Sequence, residues 1–135
     1  MKEKILETLR IMGFVPHPVE DWGYDFEFEG QTFLYIPNEN DNYLNICLPL
    51  GAKQTERNEM KFYKAVDRVN SDLFFVKAYK RSDNHIWLAY ECEIDDPDRD
   101  DLDVKLARVI HTLNNAYQYI MRFIDQDFYD EEDES

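Results

Sequence analysis

Strict alternation of aromatic and acidic residues is the feature that most limits how this chain can fold. The run at residues 24–29, YDFEFE, changes chemical character at every position. That period of two belongs to a β-strand and not to a helix. Gly30 and Gln31 indicate a turn, and residues 32–36 the returning strand of a hairpin. The sequence therefore predicts a sheet with one buried, aromatic face and one wet, acidic face.

The other elements are predicted from helical three-four spacing and from strand-forming composition. Apolar residues at three-four spacing predict three helices: a first that ends at Gly13, a second at 55–70 and a long third at about 100–125. Runs rich in aromatic and β-branched residues predict further strands at 43–48, 73–79 and 85–94. Pro49 and Gly51 are expected to end the first of these. The predicted order is α-β-β-β-α-β-β-α, an α+β fold with helices packed on an antiparallel sheet.

Length and charge limit the number of domains and the kinds of partner. The 135 residues suit a single domain over residues 1–126, followed by an acidic tail at 127–135 whose carboxylates repel one another and favour disorder. With 29 acidic and 15 basic residues, the formal net charge is -14. This charge repels phosphate backbones and anionic lipids and favours basic proteins. We therefore expect a protein partner, and neither nucleic acid nor membrane.

Neither an export signal nor a membrane span is recognised in the sequence. Charged residues interrupt the apolar ones within residues 1–7, and no stretch reaches the roughly 20 apolar residues of a spanning helix. We therefore expect a cytoplasmic protein in which Cys47 and Cys92 are reduced. Counting cysteines leaves a disulfide between them open.

No pattern in the sequence indicates a metal site, a cofactor site or a catalytic centre. Residues 96–101 begin like a calcium-binding EF-hand loop, but Asp101 and Ala107 stand where that loop needs glycine and glutamate. The three histidines have no second ligand at metal-type spacing, and the four glycines are too far apart to cradle a phosphate. We expect no metal, no cofactor and no catalytic residue, while a cysteine–histidine pair formed only in the fold stays open.

Aromatic and acidic residues that the core does not need are the candidate partner-binding residues. Aliphatic residues could already fill a small core, so some rings should remain at the surface. The candidates are Trp22, Asp25, Glu27, Glu29, Tyr79, Trp87 and Tyr119. The three carboxylates form either a plain solvated strand face or a negative stripe for a basic segment. Trp87 either joins an exposed patch or packs under a helix.

The element order, size and acidity resemble the type III secretion chaperone-like fold. That fold includes the class I secretion chaperones and the YbjN family of proposed sensory-transduction regulators. The resemblance covers about residues 1–126 and rests on the hairpin at 24–36 and on the amphipathic helices. It implies a homodimer that presents sheet and helix surfaces to extended segments of other proteins. The chain departs from a secretion chaperone in its aromatic residues at 22–28, which match no known client-binding groove.

These observations predict a non-enzymatic protein-binding module, either chaperone-like or a regulatory adaptor. Its acidic face would steer a basic segment toward aromatic and backbone contacts along an exposed sheet edge. The alternative is an acidic inhibitor or immunity-type protein that binds a basic toxin or nuclease. The alternative predicts a salt-sensitive complex with one folded target, whereas a chaperone should prefer an extended segment. An enzyme with an unrecognised site is the third hypothesis.

Overall fold

Six antiparallel strands in one sheet, with three helices on one side of it, make up the part of the chain that the structure describes. The computed structural model describes residues 2–38, 43–53, 59–81, 84–94 and 101–123. The helices are α1 (Lys2–Ile11), α2 (Glu59–Asp72) and α3 (Leu102–Phe123). The strands are β1 (His17–Val19), β2 (Gly23–Phe28), β3 (Gln31–Tyr35), β4 (Tyr43–Lys53), β5 (Val76–Lys80) and β6 (His85–Glu93). They lie in the order β1-β2-β3-β4-β6-β5, and the predicted tail at 127–135 is outside the described residues.

The core lies between the helices and one face of the sheet. Cross-strand pairing places Phe26 opposite Phe33 and Leu48 opposite Leu88. These side chains are completely or almost completely buried against the apolar stripes of the helices. From α3 the core receives Leu106, Val109, Ile110, Leu113, Ala116 and Ile120. Each fully buried leucine, isoleucine or phenylalanine contributes about 1.5–3 kcal/mol, so this face holds the fold together.

The alternation at residues 24–29 has the predicted effect. Tyr24, Phe26 and Phe28 all point into the core, where the Phe26 and Phe33 rings stack with centroids 5.6 Å apart. Tyr24 stacks on Tyr35 at 6.3 Å. Most of the aromatic richness noted in the hairpin is therefore used for packing within the core.

Strand β4 is longer than predicted, because it continues through Pro49 and Gly51. The described register pairs β3 with β4 only at Cys47 and Ile46. Pairing with β3 stops at Cys47, so backbone groups beyond it on the β3 side of β4 face no strand in that register. The nitrogen of Pro49 is on that side, and its missing N–H therefore breaks no ladder hydrogen bond. A register shift between Pro49 and Lys53 lets the strand continue past the glycine.

The sheet has one more strand than the sequence predicts. His17 and Val19 pair with Asp25 and Gly23, so the proline-rich segment after α1 forms the short edge strand β1. Proline is tolerated at an edge, where its missing N–H is not needed. The predicted α+β class and antiparallel sheet are confirmed, but the predicted number of five strands is wrong.

Candidate partner-binding surfaces

The second face of the sheet, here called the helix-free face, carries its own small apolar cluster. Alternation along the strands directs Leu34, Cys47, Trp87 and Ala89 away from the main core, and all four are buried. No residue of a described helix belongs to this cluster. Among the described residues, loop and strand side chains cover it.

An arginine surrounded by three aromatic rings forms much of that cover. The guanidinium carbon of Arg81 lies 4.9 Å from the ring centroid of Trp22, 4.7 Å from that of Trp87 and 5.3 Å from that of Tyr79. The two tryptophan rings are 5.1 Å apart, and Arg81 Nη2 donates to the Tyr79 hydroxyl at 3.1 Å. We call these four residues the aromatic–arginine cluster. Three of them were sequence candidates, whereas Arg81 was not.

A tight turn holds Trp22 over the helix-free face. Its N–H donates to the Val19 carbonyl at 3.2 Å, and Asp21 and Gly23 on either side have φ angles of 70° and 129°. A Cβ atom at Gly23 would lie 2.3 Å from the Tyr35 carbonyl oxygen, so only glycine fits there. The backbone of this turn therefore fixes where the Trp22 ring can lie.

Trp87 matches neither of the two arrangements considered from sequence. Only 5% of it is exposed, so it is not part of an exposed patch. Its covering groups are Trp22 and Arg81, not a helix. Trp22 remains 38% exposed and is the outer member of the stack.

Cys47 lies beneath this cluster in an environment that suppresses thiol chemistry. Its Sγ donates to Asn45 Oδ1 at 3.4 Å and lies 3.9 Å from the Tyr79 hydroxyl. Burial raises the pKa of Cys47, and the hydrogen bond from Tyr79 and the charge of Arg81 offset this only in part. Burial likewise raises the pKa of Tyr79. A protonated, buried thiol is a poor nucleophile.

The two cysteines point to opposite faces of the sheet. Cys92 pairs with Leu44 on the helix-covered face, whereas Cys47 belongs to the helix-free face. Burial also raises the pKa of the Cys92 thiol. Both cysteines are free, so the disulfide that sequence left open is not formed.

Several carboxylates share the helix-free face with the cluster. The register places Asp25 opposite Leu34 and Glu91 opposite Asn45, both on the helix-free face. Glu27 and Glu93 are on that face by the same alternation. Glu29 instead lies in the turn after β2, with a φ angle of 53°.

A second surface lies at the opposite side of the sheet, next to α3. Phe74 and Phe75, between α2 and β5, are 84% and 76% exposed. A groove of about 490 Å³ separates this segment from α3. Its walls include Leu73, Phe74, Phe75, Ala116, Tyr119 and Arg122. We call it the Phe74–Phe75 groove, and none of the described residues that line it is acidic.

Tyr119 belongs to this groove and not to the helix-free face. Its hydroxyl donates a short hydrogen bond to Asp72 Oδ2, and that bond raises the pKa of Tyr119. Arg68 approaches the same carboxylate, with 3.7 Å between Nη1 and Oδ2. The sequence candidates thus divide between two surfaces.

One local signal for the groove is present in the sequence. Residues 73–76 are four apolar residues in a row, which does not fit the half-buried strand predicted at 73–79. In the structure β5 begins only at Val76, and Phe75 has a φ angle of 70°. This backbone conformation turns the two rings out of the strand.

Both edges of the sheet are protected against the addition of another strand. On β5, the Asn70 side chain hydrogen-bonds the outward N–H and C=O of Ala78. The other edge strand, β1, has three residues and contains Pro18. Both edge strands, β5 and β1, are therefore poorly suited to the backbone contacts with a partner that the sequence analysis predicts.

Metal binding and membrane insertion gain no support from the geometry. Within the described ranges, no group of three or more His, Cys, Asp or Glu side chains could hold a metal ion. None of the helices the structure describes combines the length and the apolarity that crossing a membrane requires.

The fold, in contrast, is similar to known structures. No family model matches the chain, and no curated protein matches it in sequence. An uncharacterized protein from Methanothermobacter thermautotrophicus superimposes with a TM-score of 0.66 at 16% identity, over 94% of this chain and 98% of its own. YbjN from E. coli, a proposed transcription regulator, superimposes with a TM-score of 0.65 at 8% identity, over 92% of this chain and 90% of its own. The chain therefore has a YbjN-like α+β fold.

Proposed function

We propose that the chain is a non-enzymatic protein-binding module, a regulatory or adaptor protein that contacts its partner through the Phe74–Phe75 groove. The observation that carries the proposal is the pair of adjacent, solvent-exposed phenylalanines at the mouth of this groove. Single exposed apolar residues are common, but contiguous apolar surface beside a groove marks an interaction site.

The backbone at Phe75 supports a binding role. A bulky residue with positive φ is held at a cost of about 1–3 kcal/mol. The ring recovers part of this by stacking on Tyr90 at a centroid distance of 6.0 Å, yet most of it stays in water. Phe75 therefore does little for the core, and its presentation suits contact with a partner.

Charge acts on the approach of a partner, whereas apolar contacts act on its docking. The net charge of -14 attracts a basic protein from a distance. The groove itself is lined by apolar and uncharged polar residues with Arg122, so it suits the apolar side chains of that partner. Anchors of this kind contribute about 2 kcal/mol each when they are fully desolvated.

The fold neighbour named as a proposed regulator supports the regulatory assignment, and the buried, protonated Cys47 supports a non-enzymatic one. The proposal retains chaperone-like client binding, homodimerisation and a cytoplasmic location. Both cysteines are free and point to opposite faces of the sheet, so the fold itself requires no oxidising compartment.

An acidic inhibitor is the second candidate, and a different surface favours it. Asp25, Glu27, Glu91 and Glu93 share the helix-free face, where they could mimic the charges of a polyanion. In that case binding should depend on the carboxylates and on salt, and not on the phenylalanines.

Affinity capture from an extract of the organism that encodes the chain tests both candidates. Wild type is compared with Phe74→Ser/Phe75→Ser, Asp25→Asn/Glu27→Gln and the control Ile11→Ser, whose side chain is as exposed as Phe75. We expect the double serine variant to lose at least tenfold of the captured partner, while the control retains it. Equal capture by the double serine variant contradicts the groove, and loss only in the carboxylate variant supports the inhibitor.

A further inference from the structure

We propose that the aromatic–arginine cluster is a binding site for a cationic side chain, an arginine or a methylated lysine of a basic partner, and that Arg81 occupies this site from within the chain. Three rings within 5.3 Å of one guanidinium carbon form the kind of cage that proteins use for cationic ligands. The guanidinium of Arg81 itself shows that the cage accepts a planar cation.

The rings hold Arg81 more completely than its hydrogen bonds do. Nη2 donates to the Tyr79 hydroxyl, but the buried Nε finds no acceptor among the described residues. Buried donors are normally satisfied, and an unsatisfied one lowers the stability of the arrangement that contains it. The internal cation is therefore a replaceable occupant.

Replacement requires a change of side-chain rotamer and no change of backbone. The Arg81 N–H donates to the His85 carbonyl at 3.1 Å, and its own carbonyl accepts from the Asn84 N–H at 2.9 Å. These two bonds fix the backbone where β5 ends. The side chain can leave the cage by rotating about its own bonds.

The balance of charge favours a cation as the occupant. Asp25 and Glu91 lie on the same face as the cage, with Lys77 as a basic neighbour opposite Ala89, in a protein with a net charge of -14. Such a surface raises the local concentration of a basic segment. Tethered Arg81 competes at an effective concentration of about millimolar, so a free cation displaces it only at higher concentrations, whereas a cation presented by a docked partner needs no such excess.

The position of the tryptophans makes the site directly observable. The chain has two tryptophans, and both belong to the cage. Intrinsic tryptophan fluorescence therefore reports on this site alone. The probes are tetramethylammonium and N-acetyl-arginine amide, each titrated against sodium chloride at matched ionic strength.

We expect Arg81→Ala to give a saturable change in emission at a probe concentration at least tenfold lower than wild type needs. Arg122→Ala removes an arginine from the other surface and should behave like wild type. An Arg81→Ala protein with the circular dichroism of wild type that saturates no more readily overturns the proposal.

A measurement on the unmodified protein covers the case in which Arg81→Ala fails to fold. The side-chain Nε–H resonance of Arg81, followed by NMR, should lose its ring-current shift as N-acetyl-arginine amide is added. An unchanged resonance at a probe concentration that saturates tryptophan emission, or the absence of any probe response, overturns the proposal. Phe74→Ser/Phe75→Ser should respond like wild type, so this site and the groove can fail independently.

Discussion

The side-chain amide of Asn70 takes the place of a neighbouring strand beside Ala78. Its Nδ2 donates to the Ala78 carbonyl at 3.0 Å, and its Oδ1 accepts from the Ala78 N–H at 2.7 Å. Both backbone groups point outward from the edge strand β5, where another chain would pair. A residue of α2 therefore closes the middle of this edge.

Asn70→Ala should destabilise the fold by about 1–3 kcal/mol, because two backbone groups lose their partners. Urea unfolding measures this, with the exposed α2 variant Lys64→Ala as a control that should stay within about 0.5 kcal/mol. Asn70→Asp keeps the acceptor and loses the donor, so we expect an intermediate loss. Asn70→Ala should also self-associate more readily. A midpoint equal to that of wild type would show that the amide does not support the edge.

Gly23 and Gly30 both have positive φ angles but differ in their surroundings. A Cβ at Gly23 meets the Tyr35 carbonyl, whereas one at Gly30 meets nothing within 4 Å. We expect Gly30→Ala to cost about 1 kcal/mol from the backbone alone. Gly23→Ala should cost about 3 kcal/mol or more and should change tryptophan emission, because its turn places Trp22. Equal losses of unfolding free energy in the two variants would contradict the close approach.

The thiol of Cys47 should react slowly with disulfide reagents and should lose its proton only at a pH above the ordinary range of a cysteine. Cys92→Ala isolates Cys47, and its reaction with a disulfide reagent at pH 8 should be at least tenfold slower than in the urea-unfolded chain. Burial favours the neutral thiol in the folded state, whereas the same thiol in the unfolded chain ionises at about pH 8.5. The stability from Cys47 is therefore complete below that pH and is lost as the pH rises through the raised pKa.

The control for this experiment is Trp22→Ala in the Cys92→Ala background. If the Trp22 ring covers the helix-free cluster, its removal should speed the reaction of Cys47. A Cys47 that reacts in the folded protein as fast as in urea would refute the buried environment.

We expect the Phe75 side chain to lower the free energy of unfolding while it serves binding. Asparagine adopts positive φ at a lower cost than phenylalanine, so Phe75→Asn should keep or raise the free energy of unfolding, by up to about 1 kcal/mol. Phe74 is similarly exposed but is not among the residues with positive φ, so Phe74→Asn should bring no such gain. Thermal unfolding compares the two. A loss of more than about 1 kcal/mol in Phe75→Asn would show that its ring serves the core.

Periodicity was enough to predict the covered face of the sheet. The alternation at 24–29 and at 85–94 and the stripe along α3 each arise because one side of an element must leave water. Those patterns are local in the sequence. They led to the helices, most strands, and the YbjN-like fold.

The binding surfaces depend on contacts between residues that are distant in sequence. An excess of rings pointed to Trp22, Tyr79 and Trp87, but only the fold brings Arg81 against them. The positive φ of Phe75 arises where the chain passes from α2 to the edge strand, and no local sequence pattern predicts it. Pairing of β1 with β2 likewise made a strand of a segment in which prolines favoured a loop.

Site-specific photo-crosslinking tests the groove most directly. A benzoylphenylalanine at position 74 is compared in the cell with the same residue at position 11, which is also exposed but lies on α1. We expect position 74 to give a discrete crosslinked protein that position 11 does not give and that Phe75→Ser removes. Equal crosslinking from both positions, or a position-74 product that Phe75→Ser leaves intact, would contradict a binding role for the Phe74–Phe75 groove.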